Sequence, residues 1–202
     1  MSQKLTQDMV IRSEEELQGI LDTFRYDPAI GVIYYKVDRG FRKSGDMAGG
    51  VSKRGYKRLK LSGKHYAYHH VCWFLHYGEW PNRNIDHADR DPLNNTIGNL
   101  REATLSEQQS NARGWGSCSH KGVCYHKYHK RWMAYINKDG VRHNLGYFPT
   151  EVDAAKAVDA KAKELYGEYA YENLTFDVNT YTMTPDLGPV EPHVKLVKGD
   201  PF

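Results

Sequence analysis

A short stretch of the chain, residues 85–101, concentrates side chains that can bind a metal ion and move a proton. Asp86 and His87 are adjacent, and Asn99 follows twelve residues after His87. Carboxylate and amide oxygens are good ligands for hard divalent cations, and an imidazole can take a proton from water near neutral pH. An asparagine that returns through a loop can orient the imidazole by hydrogen bonding. These are the groups that hydrolysis of a phosphodiester bond needs.

The same residues allow a second interpretation. On an extended strand Asp86 and His87 would point to opposite sides, so a turn or strand end is needed before both can face one phosphate. Asp and Asn also satisfy backbone groups in turns, so this stretch could be an Asx-rich loop without chemistry. Composition alone does not decide between the two.

The surrounding elements follow from periodicity and turn residues. Helical spacing is predicted for residues 14–21 and 69–77, a strand for residues 32–35 and a hairpin for residues 56–68. Thr104 and Glu107 form the pattern of a capping box, which predicts a helix through about Arg113.

A second group of elements follows the glycine-rich residues 114–117. Strands are predicted at residues 123–125, 132–137 and 142–148, and a helix is predicted from Thr150 onward. The helix carries an apolar stripe that would pack on the strands, formed by Val152, Ala155, Val158, Ala162 and Leu165. The fold class is therefore α+β.

Charge is segregated along the chain, although the net charge is only +3. Residues 36–64 contain ten basic and two acidic residues, whereas residues 151–202 contain ten acidic residues and five lysines. Clustered Lys and Arg gain affinity for a polyanion by releasing counterions from phosphates, although a solvated surface is the alternative. The candidate DNA contacts here are Arg42, Lys43, Lys53, Arg54, Lys57, Arg58 and Lys60.

Composition also excludes several classes. No apolar run approaches the roughly 18 residues of a membrane span, and the N-terminus lacks the apolar core of a signal peptide. Three cysteines, Cys72, Cys118 and Cys124, cannot form a disulfide framework. We expect an intracellular protein with no membrane partner.

A series of landmarks runs through residues 26–111. It consists of Tyr26-Asp27-Pro28, Gly55-Tyr56, Gly63-Lys64, His69-His70-Val71-Cys72-Trp73, Gly78-Glu79-Trp80-Pro81, Asp86-His87, Asn94-Asn95, Asn99-Leu100-Arg101, Thr104 and Asn111. In this order they resemble the HNH homing-type endonucleases of phages and mobile introns. The resemblance implies a ββα-metal (HNH) nuclease domain, here preceded by basic β-hairpins, with one divalent cation at the scissile phosphate. Mg²⁺ is the expected ion, with Mn²⁺ as the alternative.

Carried over by position, the resemblance assigns roles to individual residues. It implies that His87 is the general base, Asp86 a metal ligand and Asn99 the residue that orients His87. Family helices place Asn or His nine residues after that Asn, where this chain has Gln108; Asn111 lies one turn further on. Either could supply the last ligand, and we rank Gln108 first because its amide offers a carbonyl oxygen.

His69 matches the histidine that opens a helix in the same family. We expect it to be a packed structural histidine rather than a catalytic one.

Residues 121–173 carry a second set of landmarks. These are Lys121-Gly122-Val123, Arg131 to Ile136, Leu145-Gly146-Tyr147-Phe148, Thr150 to Asp159, and Gly167 to Asn173. They resemble the DNA-binding domain of plant ethylene-response factors (APETALA-two type). The resemblance implies a small three-stranded antiparallel sheet packed on one helix, with the sheet in the major groove.

The charge of this segment agrees with a DNA-binding sheet. Between His120 and Phe148 there are six basic residues and one acidic residue, whereas the helix is mixed. Arg131 and Arg142 are candidates for base or phosphate contacts, because the guanidinium fork suits guanine and phosphate. Contacts to the DNA backbone are expected from Lys127, Lys130 and Lys138.

A zinc site is a competing interpretation of one cluster in this segment. The cluster comprises Cys118, His120, Cys124, His126 and His129. The spacings are irregular and a sheet–helix core needs no metal, so we favour a metal-free module.

Together these patterns predict an HNH nuclease domain at residues 1–113, a linker at 114–117, an ethylene-response-factor-like domain at 118–176 and an irregular tail at 177–202. The predicted function is metal-dependent cleavage of double-stranded DNA by a homing-type endonuclease that acts as a monomer. If phage-encoded, it would work in the cytoplasm of a bacterial host. The alternative is a non-catalytic DNA-binding regulator with a degenerate nuclease half, an interpretation that Gln108 keeps open.

Overall fold

The computed structural model describes residues 12–112, 119–176 and 183–184. The chain forms two compact units, the first ending at Gln109 and the second beginning at Ser110. The linker predicted at residues 114–117 lies outside the described residues. Across the described ranges, no helix is long and apolar enough to cross a membrane.

The first unit is built from short helices and two- or three-stranded antiparallel sheets. Its pairings are β1 with β2, β3-β4-β5 in that order, and β6 with β7. In chain order its elements are α1 Glu14–Thr23, β1 Phe24–Asp27, β2 Val32–Tyr35, β3 Gly50–Val51, β4 Lys57–Leu61, β5 Lys64–Ala67, α2 Tyr68–Tyr77, β6 Asn84–His87, a 3-10 turn Ile97–Asn99, β7 Leu100–Ala103 and the start of α3 Leu105–Asn111.

Local sequence explains where the helices of this unit begin and end. Ser13 and Glu16 form a reciprocal capping box at the start of α1. Thr104 and Glu107 exchange the equivalent bonds at the start of α3, as the sequence predicts, although that helix ends at Asn111 rather than near Arg113. Gly78 ends α2 in the left-handed conformation.

One hydrophobic core holds the first unit together and reaches the hairpin that carries Asp86 and His87. β4 turns Leu59 and Leu61 inward, and β6 and β7 contribute Ile85 and Leu100. The remaining buried members come from α1, α2 and the other strands: Ile20, Phe24, Ile33, Ala48, Tyr66, Tyr68, Val71, Cys72 and Phe74. The candidate site therefore lies on a hairpin that is anchored in the core.

The second unit has a three-stranded antiparallel sheet with a helix against it. The strands are β8 Val123–His126, β9 Arg131–Lys138 and β10 Val141–Phe148, with β9 in the centre. The helix is α4 Glu151–Tyr166, followed by a 3-10 turn Gly167–Tyr169. A two-residue strand pair, β11 Thr175–Phe176 and β12 Met183–Thr184, comes next. The residues 183–184 thus form a strand within the range predicted to be irregular; the rest of that range lies outside the described residues.

The apolar face of α4 differs slightly from the predicted stripe. Ala155, Val158 and Ala162 are buried as expected, but Val152 in the first turn is 37% exposed. The buried face instead includes Ala154 and Tyr166. Small residues on the buried face let the helix approach β9 closely, and Val152 lies in the first turn at the end of the helix.

Candidate active site

The β6–β7 hairpin places Asp86 and His87 on adjacent positions of one strand. Asp86 is paired with Arg101, and His87 is paired with Leu100. Because side chains alternate along a strand, His87 lies on the buried face while Asp86 is half-buried on the other face. His87 is the last residue of β6, so its imidazole lies where the strand ends and the loop toward β7 begins.

The imidazole of His87 is held by Asn95, to which the sequence assigned no role. His87 Nε2 lies 3.3 Å from Asn95 Oδ1, and Asn95 is 1% exposed. The Asn95 amide is itself oriented, because its Nδ2 donates to the Leu93 carbonyl at 2.9 Å. An amide oxygen can only accept, so Nε2 carries the proton and the lone pair of the neutral ring is on Nδ1. Nδ1 is thus the nitrogen that would accept a proton.

Burial sets the charge state of His87. Desolvation lowers the pKa of His87, and the hydrogen bond to Asn95 and the charge of Asp86 oppose that shift. A lowered pKa keeps the imidazole neutral at neutral pH. A neutral imidazole is the form that can act as a general base.

Asn99 closes the loop that follows β6 and does not contact the imidazole through its own amide. Its Oδ1 accepts from the Asp89 backbone N–H at 2.9 Å. Its Nδ2 donates to Asp89 Oδ1 and to the Asn94 carbonyl, both at 2.8 Å. Asn99 therefore fixes the conformation of the loop that presents Asn95 to His87.

Asp86 is engaged by a cationic side chain across the hairpin. Arg101 Nε and Nη2 donate to Asp86 Oδ2 at 3.1 and 3.0 Å. Both side chains are largely buried, with 18% of Arg101 and 12% of Asp86 exposed. Arg101 is one of the landmarks of the HNH resemblance, but no role was predicted for it. Its position opposite Asp86 on β7 makes it an ion-pair partner of that carboxylate.

Gln108 docks on the same strand as Asp86. Gln108 Nε2 donates to the Ile85 carbonyl at 3.1 Å, and Gln108 Oε1 accepts from Asn84 Nδ2 at 3.3 Å. Asn84 and Asp86 are two residues apart on β6 and so share one face of it. Gln108 therefore reaches the face that carries Asp86. Asn111, the other candidate ligand, is the last residue of α3 and is buried.

Two further histidines from α2 surround the site. The ring of His69 lies 5.2 Å from that of His87 in an edge-to-face arrangement, and 4.7 Å from that of His70. Burial lowers the pKa of His69 well below its usual range, and the neighbouring histidines lower it further. His69 is thus a packed, neutral neighbour of the imidazole of His87.

The β1–β2 turn supports the loop behind His87. Tyr26 Oη donates to the Asn95 carbonyl at 2.7 Å, and the Ile97 N–H donates to the Pro28 carbonyl at 3.2 Å. Gly31 has a φ of +68°, and a Cβ there would lie 2.5 Å from the backbone of Asn95 and Thr96. Only glycine fits this close approach of the two backbones.

The donor atoms near Asp86 suit a hard cation chemically. Among the residues that the structure describes, no group of three or more His, Cys, Asp or Glu side chains is arranged to hold a metal ion. A carboxylate from Asp86 and an amide oxygen from Gln108 are nevertheless the ligand types that Mg²⁺ accepts while it keeps several waters. Arg101 and Asn84 hydrogen-bond to these oxygens, so a bound cation would displace or share those bonds.

Most of the predicted basic contacts of the first unit are on its surface, with one exception. Lys57 lies on the inner face of β4 with Leu59, and its Nζ is 5.2 Å from the centre of the Tyr68 ring. Lys43 pairs with Asp38. The exposed predicted contacts are Arg42, Lys43, Lys53, Arg54, Arg58 and Lys60.

In the second unit, strand alternation separates the predicted contacts into two faces. Arg131 is exposed on the face of β9 opposite α4, which we call the outer sheet face. Arg142 lies on the same face, with its guanidinium 3.8 Å from the centre of the Tyr135 ring. Lys138 lies on the other face, where its Nζ donates to the Leu165 carbonyl at 2.6 Å. Lys127 and Lys130 are exposed in the β8–β9 turn.

The residues of the alternative zinc site do not form one cluster in the described part of the second unit. His120 Nδ1 lies 2.7 Å from Glu151 Oε1, at the start of α4. The rings of His126 and His129 stack at 4.6 Å on another part of the unit. Cys118 lies outside the described residues.

Trp132, on the helix side of β9, is partly buried and packs against the core of the second unit.

The segment from β5 to α3 is similar to a known nuclease family. Residues 66–110 match the family model described as HNH endonuclease. The match contains Asp86, His87, Asn99 and Gln108. Over these residues the chain is thus similar to HNH endonucleases, the class that the sequence predicts.

Two curated relatives are similar to part of this chain, and each is matched over only part of its own length. An uncharacterized HNH endonuclease of Acanthamoeba polyphaga mimivirus is 33% identical over 124 residues, which are 61% of this chain and 65% of the relative. Dehydration-responsive element-binding protein 2D of Arabidopsis thaliana is 36% identical over 91 residues, which are 42% of this chain and 44% of the relative. The chain therefore spans less than two thirds of the length of each.

A solved structure, described as DNA binding and cleavage by the HNH homing endonuclease I-HmuI, aligns with 70% of this chain and 82% of its own. The sequence identity is 19% and the TM-score is 0.34.

Proposed function

We propose that this protein is a metal-dependent endonuclease of the homing type that hydrolyses phosphodiester bonds in double-stranded DNA. The observation that carries the proposal is the buried, neutral His87, whose Nε2 is bonded to Asn95 so that Nδ1 is the basic nitrogen. It lies next to Asp86 and within the residues that match the HNH family.

The chemistry divides between these side chains. His87 Nδ1 takes a proton from water as the water oxygen attacks phosphorus and the bond from phosphorus to the 3′ oxygen breaks. The products are a 5′ phosphate and a 3′ hydroxyl, with the leaving oxygen protonated from solvent. Asn95 holds the ring in the required tautomer, and Asn99 holds the loop that carries Asn95.

Asp86 would hold the divalent cation, with Gln108 ahead of Asn111 as its partner. When bound, a Mg²⁺ or Mn²⁺ ion supplies charge neutralisation at the phosphate and the leaving oxygen. Asp86 and Gln108 provide oxygen donors on one face of β6, which supports this assignment.

The basic surface of the first unit would bind the duplex. Arg58 and Lys60 project from the outer face of β4, while Lys53 and Arg54 extend from the turn before it. Arg42 and Lys43 lie in the loop after β2. These contacts would be mainly to phosphates, so DNA affinity should fall steeply with salt.

The second unit would anchor the enzyme at its site through the outer sheet face, in the manner of an ethylene-response-factor domain. Arg131 projects from this face, and Arg142 is held over Tyr135, a stacked position that suits recognition of a base edge. Linking two DNA-binding units raises the overall affinity by effective concentration, and a monomer suffices. Arg142→Ala should weaken specific binding at least tenfold, whereas Lys138→Ala, on the helix side, should change it less than threefold.

A non-catalytic DNA-binding regulator is the second candidate, because Arg101 already neutralises Asp86. The two functions are separated by incubating supercoiled plasmid with the protein in Mg²⁺, in Mn²⁺ and in EDTA. Nicking or linearisation that needs the metal and is lost in Asp86→Asn supports the endonuclease. Tight binding without cleavage in either metal supports the regulator. Sequencing the ends produced from a randomised duplex library would identify the site.

A further inference from the structure

Phe41 is the most exposed large apolar side chain of the described residues, with a relative exposure of 104%. A single exposed hydrophobic residue is common on protein surfaces and by itself indicates nothing. Phe41 differs because the backbone on both sides of it is ordered by hydrogen bonds and because its neighbours are cationic.

The ring is at the tip of a tight turn. Arg39 N–H donates to the Arg42 carbonyl at 2.8 Å, and Arg42 N–H donates to the Arg39 carbonyl at 3.1 Å. Only Gly40 and Phe41 lie between them, and Gly40 has the positive φ of +60° that the turn requires. The turn therefore holds the ring away from the protein surface.

The base of the loop, residues 36–46, is braced by a second set of bonds. Asp38 accepts from the Ser44 N–H at 2.9 Å and pairs with Lys43 Nζ at 2.8 Å. Ser44 Oγ donates to the Lys36 carbonyl at 2.8 Å, and the Tyr35 N–H donates to the Asp46 carbonyl at 2.9 Å. An ordered loop loses little conformational entropy when its tip is inserted into a partner.

Two arginines flank the ring. Arg39 and Arg42 are exposed, and across the described residues neither guanidinium takes part in a hydrogen bond or an ion pair. Arg–aromatic–Arg at a turn puts positive charge on both sides of an apolar plate. The two phosphates that flank a base step in duplex DNA present the complementary arrangement.

We propose that Phe41 is a wedge that inserts between stacked base pairs of the bound duplex, while Arg39 and Arg42 contact the flanking phosphates. Proteins that unstack a base step with an apolar side chain kink and unwind the duplex there. The proposal rests on the proposed DNA-binding function of the first unit. DNA is favoured over a lipid surface because the HNH domain is in the same unit and residues 36–64 are strongly basic.

The test measures unwinding of closed circular plasmid, relaxed by a type IB topoisomerase in EDTA with the full-length protein present. The His87→Ala protein serves as the parent so that no strand is cut, and gel-shift titration of the same plasmid gives the occupancy. The parent should reduce the linking number in proportion to the amount bound. Adding Phe41→Ala should lower the unwinding per bound molecule at least fivefold and raise the Kd less than tenfold.

Two further variants control the experiment. Met47→Ala removes another exposed apolar side chain, 67% exposed, and should leave both unwinding and affinity unchanged. Phe41→Leu keeps an apolar tip and should retain part of the unwinding. Thermal melting of each variant should match that of the parent, because these side chains make little contact with the core.

Four results would overturn the wedge. Equal unwinding by the parent and by Phe41→Ala at equal occupancy would refute the wedge. Binding by the parent without unwinding would also refute the wedge, but it would leave the proposed DNA binding intact. Absence of any gel shift would refute DNA binding itself. A parent that binds anionic phosphatidylserine vesicles through Phe41, with unwinding unaffected by the substitution, would assign the tip to lipid.

Discussion

His87 Nε2 and Asn95 Oδ1 lie 3.3 Å apart, and this bond fixes both the orientation and the tautomer of the imidazole. Asn95 is in turn held by its Nδ2 bond to Leu93 and by the Tyr26 hydroxyl on its carbonyl. The loop that contains Asn95 thus positions the basic nitrogen of His87. Tyr26, which supports that loop, comes from a much earlier part of the first unit's sequence.

Asn95→Ala should slow cleavage far more than it weakens DNA binding. Loss of a residue that orients a reactive histidine typically costs about 10- to 100-fold in activity. Single-turnover rates and gel-shift affinities measured on the same duplex would separate the two effects. Asn82→Ala, at an exposed position, is the matched control. An Asn95→Ala protein with a normal cleavage rate would show that the bond has no catalytic role.

Gly31→Ala should destabilise the protein and disturb the His87 loop together. The new Cβ would lie 2.5 Å from the Asn95 and Thr96 backbone, and the φ of +68° adds strain. We expect a loss of more than about 2 kcal/mol in the free energy of unfolding. Gly63→Ala has a similar φ of +80° but nothing within 4 Å, so it should cost only about 1 kcal/mol. Urea denaturation measures the free energy of unfolding of both variants. Equal losses in Gly31→Ala and Gly63→Ala would contradict the close approach of Gly31 to the Asn95 backbone.

Arg101→Gln should make the protein more responsive to Mg²⁺. Without the guanidinium, the largely buried Asp86 carboxylate loses its ion pair with Arg101, so the metal-free variant should be less stable by about 2 kcal/mol. In the proposed site the cation and Arg101 compete for the same carboxylate, so the rise in Tm on adding Mg²⁺ should be larger in Arg101→Gln than in the wild-type protein. An equal or smaller rise would mean that Asp86 does not bind the metal.

The stability of the protein should fall in mild acid, because burial lowers the pKa of His87 and, more strongly, that of His69. The pKa of His69 in the folded state is well below the usual value of 6.5, so the unfolded chain binds the proton first. The free energy of unfolding should therefore decrease as the pH drops below about 6.5, by up to about 1.4 kcal/mol per pH unit for each histidine. Denaturation between pH 7.5 and 5 measures the slope. His69→Asn should reduce the slope to the part due to His87, and the exposed His65→Asn should leave the slope unchanged. Equal slopes in the two variants would exclude a contribution from His69.

Local signals in the sequence locate several elements and the candidate site residues. The adjacent Asp86 and His87, the Thr104 capping pattern and the Gly78 helix end are all read from a few neighbouring residues, and the structure has those helices close to the predicted positions. The choice between Asn95 and Asn99 as the partner of His87 was beyond such signals, because it depends on how the loop docks on Gly31 and Tyr26, more than sixty residues earlier.

The alternation of side chains along a strand is enough to predict that two of the candidate basic residues, Lys57 and Lys138, face the packed side of their sheets. Lys57 is two residues from the inward-facing Leu59, and Lys138 continues the inward series Trp132, Ala134 and Ile136. The period of two in a strand therefore places both on a packed face. The pairing of Asp86 with Arg101 needs the register of β6 on β7, which the turn-rich residues between those strands do not specify.

The most direct test of the account is the single-turnover cleavage rate of the His87→Ala protein on plasmid DNA in Mg²⁺. We predict a fall of at least about 100-fold with the Kd for DNA changed less than about threefold, because the proposed role of His87 is to take a proton from water rather than to bind the duplex. The variant His65→Ala, which changes an exposed histidine on β5, should cleave at the wild-type rate. Undiminished cleavage by His87→Ala would contradict the central claim.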